Sequence, residues 1–147
     1  MSKSTTQLVF PDVNVWLALS TRDHRHFEAA WNWYMALPGA IKLIFCRVTQ
    51  LGFLRLLTTR SIMGPGTLTQ AEAWQAYDEW IEGAGASLAG EPAGLEELLR
   101  RMSSAEQVAP KEWADAYLAA FSQAAEMPLV TFDRALAAKV EGSILLV

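Results

Sequence analysis

An α/β fold with a mainly parallel central sheet is predicted by three observations. The apolar runs QLVFP at 7–11, KLIFC at 42–46 and PLVTF at 128–132 are short and do not alternate with polar residues. Strands buried on both faces read this way. Amphipathic helical stretches lie between them and supply the long crossovers that parallel strands need. No linker, repeat or low-complexity tract divides the 147 residues, so one three-layer domain is expected.

The elements follow in order. The strand at 7–11 ends on Pro11, and a helix opens near Asn14. From Phe27, the residues Phe27, Ala30, Trp31, Tyr34 and Met35 fall at helical spacing, and Pro38-Gly39 ends the run. The strand at 42–46 leads into a helix over 48–58 with Thr49 as its candidate cap. Residues 61–69, SIMGPGTLT, are expected to be loop because Gly64-Pro65-Gly66 breaks regular structure. Thr69 then caps a helix whose stripe is Ala73, Trp74, Tyr77 and Ile81. The turn-rich stretch 82–94 has room for a short strand around 86–88, and 95–104 reads as helix. A long helix starts near Lys111, with Trp113, Ala116, Tyr117, Ala120, Phe121 and Ala124 on one apolar face. The strand at 128–132, a short helix at 133–138 and a closing strand at 143–147 complete the chain.

Composition narrows the function classes. A hydrophobic fraction of 52% with 19% charged residues supports a substantial core and argues against disorder. Cys46 is the sole cysteine, which rules out an internal disulfide framework and fits a reducing, cytoplasmic setting. No segment has the form of a signal peptide, and no window holds the roughly eighteen apolar residues of a membrane span. A net charge of −4 argues against gripping nucleic acid mainly by phosphate neutralisation. It leaves open a nuclease that concentrates carboxylates around metal ions.

Three carboxylates stand out. Asp12 and Asp133 each follow a strand, and Asp115 lies in the first turns of the long helix. In parallel sheets, ligands collect beyond the carboxyl ends of the strands. Asp12 and Asp133 also suit helix capping, a purely structural role. Asp115 interrupts the apolar stretch WADAYLAA, where a carboxylate is desolvated unless it is paired or bound to metal. Carboxylates without histidine or cysteine partners are hard donors that select Mg²⁺ or Mn²⁺. A cation relieves their mutual repulsion, and it acidifies water and stabilises charge growing on a phosphodiester. Asn14 either orients a water or caps the helix, and the Thr131 hydroxyl can bond a carboxylate or a water.

The segments LVFPDVNVWLALSTRDHRHFEAAWNW, CRVTQLGFLRLLT, DAYLAA and LVTFDRAL occur in the order and spacing of PIN-domain proteins. The chain most resembles the VapC-type ribonuclease toxins of bacterial toxin–antitoxin pairs. That resemblance implies a Rossmann-like fold, Mg²⁺- or Mn²⁺-dependent endoribonuclease activity on RNA, dimerisation, and inhibition by a small cognate antitoxin. It maps the family's first, third and fourth acids onto Asp12, Asp115 and Asp133. The second acid is a departure, since Gln50 stands where the family usually has glutamate. A glutamine offers one neutral carbonyl oxygen, so weaker metal affinity is expected. Glu112, three residues before Asp115, either compensates or serves as a surface charge.

Arg134, beside Asp133, is a candidate RNA contact, whereas Arg47, Arg55 and Arg60 read as solvated surface residues. His24 and His26 are too few for a zinc site and read as exposed residues before the second helix. Trp31, Trp74 and Trp113 are expected in the core or a dimer interface rather than stacked on bases. Two other classes are weighed. A PIN-like module without catalysis, binding RNA or a protein partner, is favoured by Gln50 alone. A phospho-accepting receiver domain is disfavoured, because Val13 and Asn14 follow Asp12 and Lys139 lies in a helix-like run.

Overall fold

A computed structural model describes residues 7–106 and 108–147. Five parallel strands form one sheet: β1 (Gln7–Pro11), β2 (Ile41–Phe45), β3 (Ser87–Leu88), β4 (Leu129–Thr131) and β5 (Ile144–Leu145). Their order is β3-β2-β1-β4-β5. The chain builds outward from β1 in one direction and then returns to add β4 and β5 on its other side. The order therefore reverses between β1 and β4, and a crevice opens at the carboxyl ends of these two strands. Phe10 pairs with Leu129 and Pro11 with Val130. Pro11 has no N–H to donate, and it sits at the last position of β1. The ladder runs past it, with Phe10 N donating to Pro128 O (2.8 Å) and Asp12 N to Val130 O (2.9 Å).

Alternation along the strands sorts side chains into two cores. Val9, Leu43, Phe45 and Val130 face α1 (Val13–Ser20), α2 (Phe27–Met35), α3 (Arg47–Leu57) and α5 (Gln70–Asp78). Their neighbours Phe10, Ile44, Cys46 and Leu129 face α6 (Leu95–Met102), α7 (Trp113–Ala125) and α8 (Arg134–Ala137). Each core centres on an aromatic stack: Trp16 on Phe45, with centroids 3.7 Å apart, and Phe10 on Phe121, at 4.9 Å. No helix is long and apolar enough to cross a membrane among the described residues.

Several sequence expectations are corrected. Residues 61–69 are not simply loop: Thr59 O accepts from Ile62 N and Met63 N, closing the single turn α4 (Arg60–Met63). A 3₁₀ turn, Gly64–Gly66, follows, and Gly64 turns the chain with φ +56°. Cys46, not Thr49, is the N-cap of α3, because β2 feeds straight into the helix. The Thr49 hydroxyl instead reaches back to accept from Cys46 N at 2.9 Å. The long helix begins at Trp113 rather than Lys111. After Asp78, α5 continues as a π-turn, Glu79–Gly83.

The tryptophans divide between the core and the surface of the single chain. Trp16 is fully buried, whereas Trp31, Trp74 and Trp113 are 37%, 46% and 62% exposed. On α5, Ala73 and Tyr77 form the buried i, i+4 pair, and Trp74 is rotated one step off it. Trp113 is the first residue of α7, ahead of the turns that meet the sheet.

One close approach matters to the rim of the sheet. A Cβ at Gly52 would lie 2.8 Å from Cγ2 of Val13, the residue after Asp12. Glycine lets α3 press against the start of α1, which brings the first turn of α3 beside the Asp12 turn. Gly52→Ala is expected to destabilise the protein by about 1–3 kcal/mol through overpacking. Val13→Ala in the same chain should restore most of that loss in urea denaturation, because it removes the two Cγ methyls that the new Cβ would meet.

Candidate active site at the carboxyl edge of the sheet

Asp12 leaves the end of β1 and is 5% exposed. Its Oδ1 accepts from Val15 N at 3.1 Å, capping α1, so the capping role is real. Its Oδ2 accepts from the Thr131 hydroxyl at the end of β4. That hydroxyl in turn accepts from Asp133 N at 3.0 Å. Thr131 thus joins the two strand-end acids through one oxygen. Burial drives the Asp12 carboxyl up to about 6. The Thr131, Val15 and Asn14 hydrogen bonds pull it back, and the charge of Asp115 adds to the rise.

Asp133 caps α8, its Oδ1 accepting from Ala135 N (2.8 Å) and Leu136 N (3.2 Å). Its Oδ2 stays outside the cap, on an exposed residue. Asp115 is half-buried in the first turn of α7, which runs back against the strands and so starts at their carboxyl edge. Its carboxyl is also raised, first by burial, then by Asp133 and Glu112, with Lys139 opposing. Each acid therefore feels the next. Among the described residues, no three His, Cys, Asp or Glu side chains are close enough together to hold one ion between them.

The donors still fit a hard divalent cation. Mg²⁺ keeps several waters and takes only one or two carboxylates directly, so a closed three-acid cage is not required. Buried, mutually repelling carboxylates with raised proton affinity are the electrostatic problem that a cation relieves.

Gln50 lies at this edge, 3% exposed on the first turn of α3. Its Oε1 accepts from Arg47 Nη1 at 2.6 Å. That oxygen therefore has the positive charge of a guanidinium beside it, which opposes a cation approaching it. Asn14 is exposed at the second position of α1, where Asp12 already caps the helix. Glu112 and Arg134 are exposed beside Trp113 and Asp133.

Sequence reasoning missed three partners. Arg47, read as a solvated arginine, holds Gln50, and their i, i+3 spacing was the available signal. Lys139, set aside in its helix-like run, brings positive charge to Asp115. His26, read as simply exposed, stacks on Phe132 with centroids 4.3 Å apart. No spacing rule links those two positions.

The raised Asp12 carboxyl has a stability consequence. Unfolded, it titrates near 3.8; folded, near 6. The folded chain therefore binds the proton more tightly, and this contribution to stability falls as pH rises from about 4 to 6. Above that window the buried charge destabilises the cation-free protein by on the order of 3 kcal/mol. In EDTA, Asp12→Asn should raise the melting temperature at pH 8 by on the order of 5 °C. The gain should shrink as pH falls through 6. A variant less stable than the parent across pH 4–8 would contradict this reading.

Known proteins resemble this chain in sequence and fold. The PIN domain family model matches residues 9–142. Ribonuclease VapC41 of Mycobacterium tuberculosis is 44% identical over 130 residues, covering 84% of this chain and 88% of that one. Among solved structures, VapBC2 from Rickettsia felis bound to a DNA fragment from its promoter aligns with TM-score 0.65 at 10% identity. It covers 95% of this chain and 97% of that one. VapC20 of Mycobacterium tuberculosis, a sarcin–ricin-loop-cleaving toxin, aligns with TM-score 0.62 at 16% identity, covering 88% and 93%. The fold is shared with the two solved structures, and the sequence match is strong with VapC41. This chain belongs to the PIN-domain family, as a homologue of the VapC ribonuclease toxins.

Proposed function

We propose that this protein is a Mg²⁺- or Mn²⁺-dependent endoribonuclease whose cation sits at the rim carrying Asp12, Asp115 and Asp133, held directly by one or two of these carboxylates and through water by the rest. The observation that carries the reading is the Thr131 hydroxyl shared between Asp12 and the Asp133 backbone, with Asp115 electrostatically coupled to both acids. When bound, a divalent cation would acidify water and offset the charge that develops on the phosphodiester. The protein's own groups do the rest. Thr131 holds the Asp12 carboxylate in one orientation. Asp133 keeps Oδ1 in its cap, which leaves Oδ2 for the cation. Asp115, with its raised proton affinity, is assigned as the base that accepts a proton from the attacking water. Asn14 and Glu112 flank the rim as polar contacts for water, and Arg134 offers a guanidinium to an RNA phosphate.

The partners follow from the relatives. The VapBC2 structure holds a toxin with its antitoxin on promoter DNA. A small cognate antitoxin is proposed here as well, together with a homodimer acting in the cytoplasm. Exposed Trp31, Trp74 and Trp113 supply apolar area for such contacts. A second reading, a PIN module that binds RNA without cutting it, draws on Gln50 being held by Arg47.

One experiment separates them. Purified, antitoxin-free protein is incubated with RNA in Mn²⁺ or Mg²⁺, with EDTA and Asp12→Asn as controls. Cleavage should vanish in EDTA and fall by on the order of a hundredfold or more in the variant. By calorimetry, Mn²⁺ affinity should drop in Asp12→Asn and Asp133→Asn. In the parent it should weaken as pH falls through about 6, where protons compete for Asp12. Cleavage that survives EDTA refutes the mechanism, and RNA binding without cleavage supports the second reading.

Gln50 makes a separate prediction. Gln50→Glu alone should leave Mn²⁺ affinity within about twofold, because Arg47 neutralises the new carboxylate. Adding Arg47→Ala should release that carboxylate and tighten binding. Tightening by Gln50→Glu alone would place position 50 on the cation.

A further inference from the structure

The segment before α2 and the segment after β4 meet outside the acidic cluster. The His26 imidazole lies on the Phe132 ring, centroids 4.3 Å apart and planes 18° from parallel. Phe132 stands between Thr131, whose hydroxyl donates to Asp12, and Asp133, so the stack adjoins Asp133 directly and Asp12 through Thr131. Both rings are half-buried, neither sealed in a core nor free in solvent.

The turn that carries His26 is held by its own hydrogen bonds. His24 N donates to Thr21 O (3.0 Å), Phe27 N to His24 O (2.9 Å), and His26 N to His24 Nδ1 (3.0 Å). The His24 ring follows at 5.7 Å, tilted by 40°. Arg25 and Arg134 are exposed beside the two stacked residues. An aliphatic side chain would shield Phe132 from water at least as well as an imidazole does. A flat, pre-positioned ring whose sequence neighbours include two exposed arginines, Arg25 and Arg134, next to the proposed phosphodiester site has a more specific use. Single-stranded nucleic acid is held by base stacking on such faces together with cationic contacts to the backbone.

We infer that the His26–Phe132 stack is a shelf for the nucleobase of an RNA nucleotide adjoining the scissile phosphate. His26 is thus a positioning residue that aligns the substrate strand against the acids and biases which linkage is cut. The inference rests on the ribonuclease reading above.

The test is steady-state cleavage of a short single-stranded RNA whose cut site has been mapped with the parent protein. The substrate series carries one abasic nucleotide at each position near the cut. One adjoining abasic position should lower kcat/KM by about tenfold in the parent. His26→Ala should lower kcat/KM on intact RNA by a similar factor yet be indifferent to that same abasic position, with Mn²⁺ affinity unchanged by calorimetry. His26→Phe, which keeps a flat face, should retain the parent's pattern. Should His26→Ala fail to fold, His26→Leu, which covers Phe132 without a π-face, takes its place and should behave as His26→Ala does. Equal losses on intact and abasic RNA in the alanine or leucine variant, or no sensitive position in the parent, overturn the shelf while leaving the nuclease intact. A parent protein that cuts no RNA overturns the nuclease reading and the shelf with it.

Discussion

The Thr131 hydroxyl and the Asp12 carboxylate are 119 positions apart in the chain, yet they share a hydrogen bond. The whole rim depends on it. The carboxylate is almost out of water, and a buried ionised group survives only with strong partners. Thr131 and the backbone at the start of α1 supply them. The same hydroxyl takes the N–H of Asp133, so the loop leaving β4 is tied to the turn leaving β1. Removing the adjacency of β1 and β4 would separate the two acids and strand a buried charge.

That adjacency follows from sheet order. A chain that lays down β1, β2 and β3 in one direction and returns to place β4 on the other side of β1 opens a gap at the reversal. Neither neighbouring connection covers the gap, so polar groups can sit there and still be reached. The two apolar cores on either face, organised around Trp16–Phe45 and Phe10–Phe121, hold the strands against the repulsion of the acids they deliver. Gly52 adds the last adjustment by letting α3 close on Val13. The pair Arg47–Gln50 then stands at the same carboxyl edge, joined by a 2.6 Å hydrogen bond. A guanidinium-bound amide leaves that corner less negative than a carboxylate would, which softens the mutual repulsion and reduces the pull on a cation.

The solved toxin structures share 10% and 16% identity with this chain and still align over most of its length. Such divergence is tolerated because the fold needs apolar strands of the right length and helices with one apolar face, not particular residues.

Much of this was legible in the residues alone. Continuous apolar runs located β1, β2 and β4 because burial on both faces leaves no polar alternation to read. A carboxylate inside WADAYLAA marked Asp115 because desolvation makes such a position expensive without a purpose. The family motifs placed Asp12 and Asp133. Other features were beyond reach. Strand order depends on which connections cross which face, and no local pattern encodes that, so the meeting of Thr131 with Asp12 emerged only in three dimensions. Helical periodicity marks an apolar stripe without saying whether anything covers it, and Trp113 is open to solvent while Trp16 is sealed. The stack of His26 on Phe132 joins segments more than a hundred residues apart. Sequence determined which side chains carry charge and which faces are apolar, because both are properties of residues and their spacing. Tertiary structure decided which of those charges lose their water and which neighbours they meet, because desolvation and contact belong to the packed arrangement of the whole chain.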